Sequence, residues 1–495
     1  MAARFSTLLA ALPGGSLLGV DGDTEVTAPV VEAHGQVLPG GVFVARVGLG
    51  RDGHDFIPAA IEAGAVAIVG EHELELTVPY ARVDDAQQAI GYLAAAYHGN
   101  PSSRLTIVGV TGTDGKTTTS TLVRAVLEAG LGRRVGLMTT LNADTGDATT
   151  DVGLHVTTPG APQVQELLAR MVHNGLTHCV VEMTSHGLAQ GRLNGVEVDA
   201  AVMTNLTHEH LDYHGAFEAY RDAKGILFRR VARGIVVVNA DDPAGEHYAA
   251  LAPDAEVTRY SITDVTDPVF EASGTSFTLD GHRYRTALIG RFNLANVLAA
   301  IALGRAFGFE PDAIQRGLDA VPSIEGRLER LDEGQAFTAI VDFAHTPNSL
   351  AAVLGTCRQL LEGEGRLIVV FGSAGLRDRE KRALMAKVAI RAADVSVFTA
   401  EDPRTESLDG ILEAMAHAAT AAGGVEGATF HRIPDRGEAL LFACRQARDG
   451  DLVIACGKGH EQSMAFGTTE YPWDDRIAMR AALRGEAIAT LPTAG

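Results

Sequence analysis

Apolar runs of four to six residues, each closed by a polar or glycine-rich cluster, recur along most of the chain. The runs at 42–45 and 65–69 read as short strands, with a helix over 56–61 between them and another over 86–97. Gly99-Asn100-Pro101-Ser102-Ser103 gathers turn formers and marks a break. Beyond it, strands are predicted at 105–108, 178–183, 200–203 and 235–238, with helices over 122–127 and 162–174. The pattern restarts after about 331, with strands at 338–341, 367–371, 395–398 and 452–455. Unbroken apolar strands separated by helical stretches indicate parallel sheets buried on both faces. The spacing predicts an α/β protein with domains at 1–100, 101–331 and 332–495. In such sheets ligands bind beyond the carboxyl ends of the strands, and the polar clusters fall there.

The totals narrow the function. The 495 residues are 46% hydrophobic and 21% charged, ordinary for a soluble globular protein with a sizeable core. With 41 basic and 62 acidic residues the net charge is −21, which argues against a general nucleic-acid binder and against an anionic membrane surface. An anionic substrate therefore needs a local basic pocket. No apolar run approaches the ~18–20 residues of a membrane span, and no secretory leader pattern opens the chain. Cys179, Cys357, Cys444 and Cys456 lie scattered, without metal-ligand or CxxC spacing. A cytoplasmic enzyme acting as a monomer is expected.

The strongest chemistry is Gly109-Val110-Thr111-Gly112-Thr113-Asp114-Gly115-Lys116-Thr117-Thr118-Thr119, placed between a strand and a helix. Glycines let backbone N–H groups turn around a phosphate, and the helix N-terminus adds partial positive charge. Lys116 supplies a full charge to the β/γ-phosphates, and the Thr117 hydroxyl is placed to ligate Mg²⁺. The generic pattern places a glycine where Val110 stands; here the glycine is Gly109. A ligand-free glycine turn is the competing reading. Glu182 closes a strand where an acid can serve Mg²⁺, against the alternative of a solvated strand-end acid. His208, His210 and His214 sit close together, open to a transition-metal reading, although the spacing is not His-Glu-x-x-His. One histidine beside the phosphate loop is preferred. Lys224 reads as an ordinary surface lysine on a helix over 220–228.

Gly112 to Thr118, Thr157-Thr158-Pro159, Glu182-Met183-Thr184-Ser185-His186-Gly187, Thr204 to Thr207 with His210 to Gly215, Asn239 to Asp242, Gly290-Arg291-Phe292-Asn293, Gly326 to Arg330, Asp342 to Pro347 and Gly457-Lys458-Gly459-His460-Glu461 together resemble the Mur ligases. The similarity runs in order through nearly the whole chain and is weakest in the first 50 residues. It implies a three-domain α/β fold: a small N-terminal uridine-binding domain, a central P-loop ATPase-type parallel or mixed sheet, and a C-terminal Rossmann-like doubly wound sheet. It also implies an ATP- and Mg²⁺-dependent amide ligase of peptidoglycan precursor synthesis. The small-molecule substrates are UDP-N-acetylmuramoyl-L-alanyl-D-glutamate and a third-position diamino acid. By this resemblance Lys116, Glu182, His210 and Lys224 are catalytic. Thr117, Glu182, His210 and a carbamylated Lys224 serve the metal. Gly112, Thr113, Asp114, Gly115, Lys116, Thr117, Thr118, Asn293, Arg327 and Asp342 serve ATP. Thr157, Thr158, Thr184, Gln190 and Arg192 hold the UDP-substrate. Arg377, Glu401, Asp402, Pro403, Arg404, Gly457 and Glu461 line the amino-acid pocket.

The chain departs from the family in four places. Asp114 replaces an asparagine and is expected to point away from phosphate. Thr184 replaces a serine and keeps the hydroxyl. Ala33-His34-Gly35 stands where the family has Asp-Ser-Arg, which bears on the uridine contacts. Glu401-Asp402-Pro403-Arg404 replaces Asp-Asn-Pro-Arg, the form that goes with meso-diaminopimelate. The added acidity suits the distal ammonium of L-lysine or L-ornithine and tilts the reading that way. Two alternatives are weighed against the ligase. A folylpolyglutamate synthase would not be expected to carry Thr157-Thr158-Pro159 or Pro403-Arg404. An idle nucleotide-binding homologue would be expected to have lost at least one of Lys116, Glu182, His210 and Lys224.

Overall fold

A computed structural model of the chain describes residues 2–13, 24–48, 50–150, 158–207, 209–271, 273–361 and 365–493. By compactness it divides into two units, Met1–Ser261 with Ala299–Ile314, and Ile262–Leu298 with Gln315–Gly495. Residues 262–298 thus cluster with the later part of the chain, and residues 299–314 with the earlier part. Among the described residues no helix is long and apolar enough to cross a membrane.

The first unit opens with the strand Ala3–Arg4, paired antiparallel with Glu25–Val26, and then holds four parallel strands, Val30–Val31, Val42–Val44, Ala67–Gly70 and Tyr80–Arg82, side by side in chain order. The helix Ala86–Tyr97 starts at Asp85, whose carboxylate accepts the Gln88 N–H at 2.9 Å. Its Ala89, Ile90, Leu93 and Tyr97 pack with Phe5, Leu8, Val26 and Val42. The larger sheet has eight strands in the order Thr149–Thr150, Ala143–Asp144, Gly136–Met138, His178–Glu182, Thr106–Thr111, Ala200–Met203, Ile235–Asn239 and Glu256–Tyr260. The first two pairings are antiparallel and the remainder parallel. The phosphate-loop strand Thr106–Thr111 is therefore central, with Glu182 ending one neighbour and Thr204 following the other.

The second unit holds a six-stranded sheet ordered Glu329–Leu331, Thr338–Asp342, Leu452–Cys456, Leu367–Phe371, Val395–Phe398 and Phe430–Arg432. The first strand is antiparallel and the other five parallel. This sheet begins at Glu329, ahead of the expected restart, as a short polar edge strand. A three-stranded antiparallel sheet, Thr266–Glu271, Gly274–Leu279 and His282–Thr286, was not predicted. Its alternation buries Phe277 and Tyr284 beneath polar outward residues, a weaker signal than a continuous apolar run. All four cysteines are free and buried. Burial pushes every thiol up, that of Cys444 to about 12.

One ion pair joins the ends of two strands in this sheet. Arg436 has no exposed surface and grips Asp475 with Nε at 2.7 Å and Nη2 at 2.6 Å. The same guanidinium donates to the Ala400 and Cys456 carbonyls at 3.2 and 2.8 Å, and Trp473 Nε1 donates to Asp475 at 2.8 Å. Removing one partner strands the other charge in the interior. Asp475→Ala should therefore lower unfolding stability by roughly 3–5 kcal/mol. Urea denaturation of the two proteins side by side would measure it, and a loss below about 1 kcal/mol would contradict this account.

Candidate active site

In the first unit the phosphate loop takes the shape that its glycines permit. Gly115 has φ +79° and caps the helix Lys116–Leu131. A Cβ on Gly112 would sit 1.8 Å from Thr204 Oγ1. Gly109, the glycine displaced from the generic position, lies instead within the strand, where a Cβ would meet Leu227 at 2.6 Å. It is a packing glycine. The loop is tied from outside by Thr204 Oγ1 and Asn205 Nδ2, both donating to the Asp114 carbonyl, at 2.7 and 3.1 Å. Asn205 Oδ1 accepts the Asp114 N–H at 2.9 Å. The Asn239-to-Asp242 cluster supports that tie: Asn239 Nδ2 donates to the Thr204 carbonyl at 2.8 Å, and Asp242 accepts the Leu206 N–H at 2.6 Å.

Around this loop the predicted groups converge. Lys116 Nζ donates to the Thr113 carbonyl at 2.7 Å. Thr117 Oγ1 donates to Glu182 at 2.9 Å, and Thr140 donates to the same carboxylate through its N–H at 3.3 Å and its hydroxyl at 3.2 Å. Thr118 is buried one residue further along the helix. Lys224, expected at the surface, is instead fully buried, because its face of the helix Phe217–Arg229 turns onto the loop. Its Nζ donates to the Gly112 carbonyl at 2.6 Å and lies 4.6 Å from the Tyr220 ring centroid. Burial, reinforced by Lys116, pushes this amine well below the ordinary lysine range. The Tyr220 hydroxyl stands 2.9 Å from Thr113 Oγ1.

His210 is exposed with φ +55°, and its ring lies 4.6 Å from that of His186, edge to face. His214 Nε2 is 3.1 Å from Ser185 Oγ. His208 and Thr157 lie outside the described residues. Thr158 Oγ1 is 3.0 Å from Thr184 Oγ1, and Arg192 donates to the Thr158 carbonyl at 2.8 Å. Thr184 caps the short helix Ser185–Ala189 by accepting the Gly187 N–H at 3.0 Å. Gln190 Nε2 donates to the Tyr213 hydroxyl at 3.1 Å. Burial lowers the Arg192 guanidinium somewhat, with Glu32 acting the other way. Beside the four-stranded parallel sheet, His34 stacks on Phe56 with ring centroids 4.6 Å apart, both residues lying in short turns between strands.

Among the described residues, metal-ligand spacing is met at Asp52, His54 and His72, not in the histidine-rich stretch 204–214. His54 Nε2 accepts the Glu71 N–H at 2.9 Å, which places its proton on Nδ1, facing Asp52 at 2.5 Å. His72 Nε2 approaches the other Asp52 oxygen at 2.7 Å. The carboxylate is thus already satisfied by two ring N–H groups, and these bonds hold it below the usual carboxylate range.

The second unit carries the remaining predicted residues. Asp342 accepts the Leu328 and Ala344 N–H groups, both at 2.7 Å, and so folds the chain beside Arg327, whose guanidinium lies 4.3 Å from the Phe343 ring centroid. Asn293 Nδ2 donates to the Ile289 carbonyl at 2.9 Å. Glu401 is buried with Oε2 unpaired, and a Cβ on Gly457 would lie 2.3 Å from that oxygen. Burial pushes the Glu401 carboxyl up. Asp402 faces Lys458, a residue the sequence reading left without a role; Nζ reaches both carboxylate oxygens, at 3.0 and 3.1 Å. Glu461 Oε2 is 2.5 Å from the same ammonium. Arg404, which follows Pro403, donates to the Gly375 carbonyl at 3.0 Å; neither it nor the exposed Arg377 forms an ion pair among the described residues.

A phosphate loop at the centre of a mostly parallel sheet, an acid on the adjacent strand end and a buried lysine behind the loop describe a nucleotide-dependent transferase or ligase site. The family comparisons narrow the class. Residues 35–98 match the Mur ligase family catalytic domain, 110–304 the Mur ligase middle domain, and 326–459 the Mur ligase glutamate ligase domain. The chain is 40% identical, over 97% of its length and 99% of the other, to a UDP-N-acetylmuramoyl-L-alanyl-D-glutamate–2,6-diaminopimelate ligase of Geobacillus thermodenitrificans. It is 42% identical, over 92% of its length and 94% of the other, to a UDP-N-acetylmuramyl-tripeptide synthetase of a Roseiflexus species. A solved structure of a UDP-N-acetylmuramoyl-L-alanyl-D-glutamate–2,6-diaminopimelate ligase matches with a TM-score of 0.68 and 29% identity, covering 98% of this chain and 99% of that one. The chain belongs to the Mur ligase family, ATP-dependent ligases with a three-domain α/β fold.

Lys224 offers a test independent of catalysis. Its folded-state pKa is depressed, so burying the charged form destabilises the fold at pH values below that pKa, and the penalty fades as pH rises towards the free-lysine value of 10.5. Lys224→Met should raise the melting temperature near neutral pH, and the gain should shrink in alkaline buffer. Thermal melts across that range check it; a variant that melts lower at neutral pH contradicts the assignment.

Proposed function

We propose that the chain adds 2,6-diaminopimelate to UDP-N-acetylmuramoyl-L-alanyl-D-glutamate at the expense of ATP, and that its domains run from 1–100, 101–331 and 332–495. The gathering of Lys116, Thr117, Glu182 and Lys224 at one strand-end crevice carries the reading. The names of the full-length relatives support the substrate. A substrate carboxylate oxygen attacks the γ-phosphorus of ATP, and the bond to ADP breaks. The amino group of the incoming diamino acid then attacks the acyl carbon, phosphate leaves and the amine gives up a proton.

The loop N–H groups and Lys116 hold the β/γ-phosphates where charge accumulates during transfer. Thr117 and Glu182 are adjacent hard oxygen donors, which suits Mg²⁺. With His210 and a carbamylated Lys224 they would hold the ion, which supplies charge neutralisation between two anionic substrates. An unmodified ammonium there would repel it. Burial favours the neutral amine of Lys224, the form able to attack carbon dioxide and become an anion. The linked trio Thr158, Thr184 and Arg192, with Gln190, is assigned to the UDP-substrate, and Asn293, Arg327 and Asp342 are assigned to the nucleotide. Arg404 and Arg377, without acidic partners, suit the second carboxylate of diaminopimelate. The acidity that favoured L-lysine or L-ornithine is reduced by Lys458, which pairs with Asp402.

Phosphate release with ATP, the UDP-muramoyl dipeptide and each diamino acid in turn tests the proposal. Release is expected with meso-diaminopimelate; silence with every amino acid in folded protein would overturn the ligase reading. Lys116→Ala should lower kcat by roughly 10²–10³-fold. Lys224→Ala should be inactive and partly restored by short carboxylic acids that take the carbamate's place. Failure of that rescue, together with no carbamate carbon signal in protein equilibrated with ¹³C-bicarbonate, would remove the carbamate assignment.

A further inference from the structure

Three segments of the second unit meet at one buried cation. Lys458 has no exposed surface and binds Asp402 and Glu461. Asp402 takes a left-handed conformation at φ +41°, and its carboxylate also accepts the Ala465 N–H at 2.9 Å. Its own carbonyl accepts the Gly375 N–H at 2.9 Å, which hangs the Arg377 loop on the same residue. Two residues on, Arg404 is left-handed again at φ +53°, and its N–H donates to the Ala465 carbonyl at 3.0 Å. Non-glycine residues hold such conformations when surrounding bonds over-determine them. The Lys458 ammonium therefore fixes the backbone from which both arginines emerge.

It also fixes the charge. Three acids lie together here: Glu401, Asp402 and Glu461. Lys458 pairs with two of them and offsets one of their two negative charges, and burial drives the third towards its neutral form. Although burial opposes the Lys458 ammonium, Glu461 and Asp402 more than offset this and hold it charged. Arg404 and Arg377, which form no ion pair among the described residues, outnumber the single negative charge that remains.

We propose that Lys458 is a specificity-determining positioning residue: by claiming Asp402 and Glu461 it leaves the pocket cationic, and so selects a diamino acid with a second carboxylate over one without it. The inference rests on the ligase reading above. The experiment compares kcat/KM for meso-diaminopimelate with kcat/KM for L-lysine in the wild type, Lys458→Met, Asp402→Asn and the double variant. Lys458→Met should lower the ratio by about tenfold or more, the scale of one charge contact in a partly screened pocket, with KM for ATP unchanged. Asp402→Asn should raise it, since a negative charge is lost while Lys458 keeps Glu461. Adding Asp402→Asn to Lys458→Met should recover part of the ratio. Equal losses for both amino acids in Lys458→Met would make Lys458 merely structural and overturn the proposal. So would an unchanged or lowered ratio in Asp402→Asn, which decides the matter if Lys458→Met does not fold. A wild type silent with every amino acid fails at the earlier step and overturns the ligase reading, and this inference with it.

Discussion

A lysine amine buried 2.6 Å from a backbone carbonyl is the constraint on which the nucleotide end of this molecule depends. Desolvating a lysine is costly unless its donors are used and its charge is answered. Lys224 uses the Gly112 carbonyl and the face of Tyr220, one helical turn earlier on the same side of the helix. Tyr220 in turn meets Thr113 through its hydroxyl. Helix and loop are thereby locked at two adjacent points, and the loop conformation becomes a property of the helix behind it. Burial, together with Lys116, pushes the amine well below the ordinary lysine range, while Glu209, Asp114 and Glu182 act the other way.

The second unit solves a similar problem with different chemistry. Arg436 is satisfied bidentately by Asp475 and reaches the carbonyls of Ala400 and Cys456, the residues that precede Glu401 and Gly457. Lys458 then ties the loops that follow. One cation sets the spacing of the strand ends and the other the course of the loops. Glu406 adds a third brace. It accepts two bonds from Arg382, at 2.8 and 2.6 Å, and one from the Leu376 N–H at 3.0 Å, which lower its carboxyl to about 2.

Continuous apolar strands were legible from sequence because burial on both faces leaves no polar interruption. The runs at 200–203, 367–371 and 395–398 and the helix over 86–97 coincide with the observed elements. Ala143–Asp144 and Thr149–Thr150 escaped because two residues carry no period. The sheet from Thr266 to Thr286 escaped because its alternating face is rich in charge. At the site, residue types and their order were readable, whereas their partners were not. Lys224 looked like a surface residue because burial depends on which helix face meets the loop. Asp402 looked like a free acid because its counter-charge lies 56 residues further along the chain.

The four thiols have a practical consequence. Each sits in apolar surroundings that hold it protonated and out of solvent, so electrophilic labels that need an exposed thiolate find no ready target on the native fold. The chain is in this sense already a blank background for spectroscopy. A single cysteine placed on the surface of each unit would accept a donor and an acceptor dye without removal of the native ones. The distance between the units could then be followed through a turnover in otherwise unaltered protein.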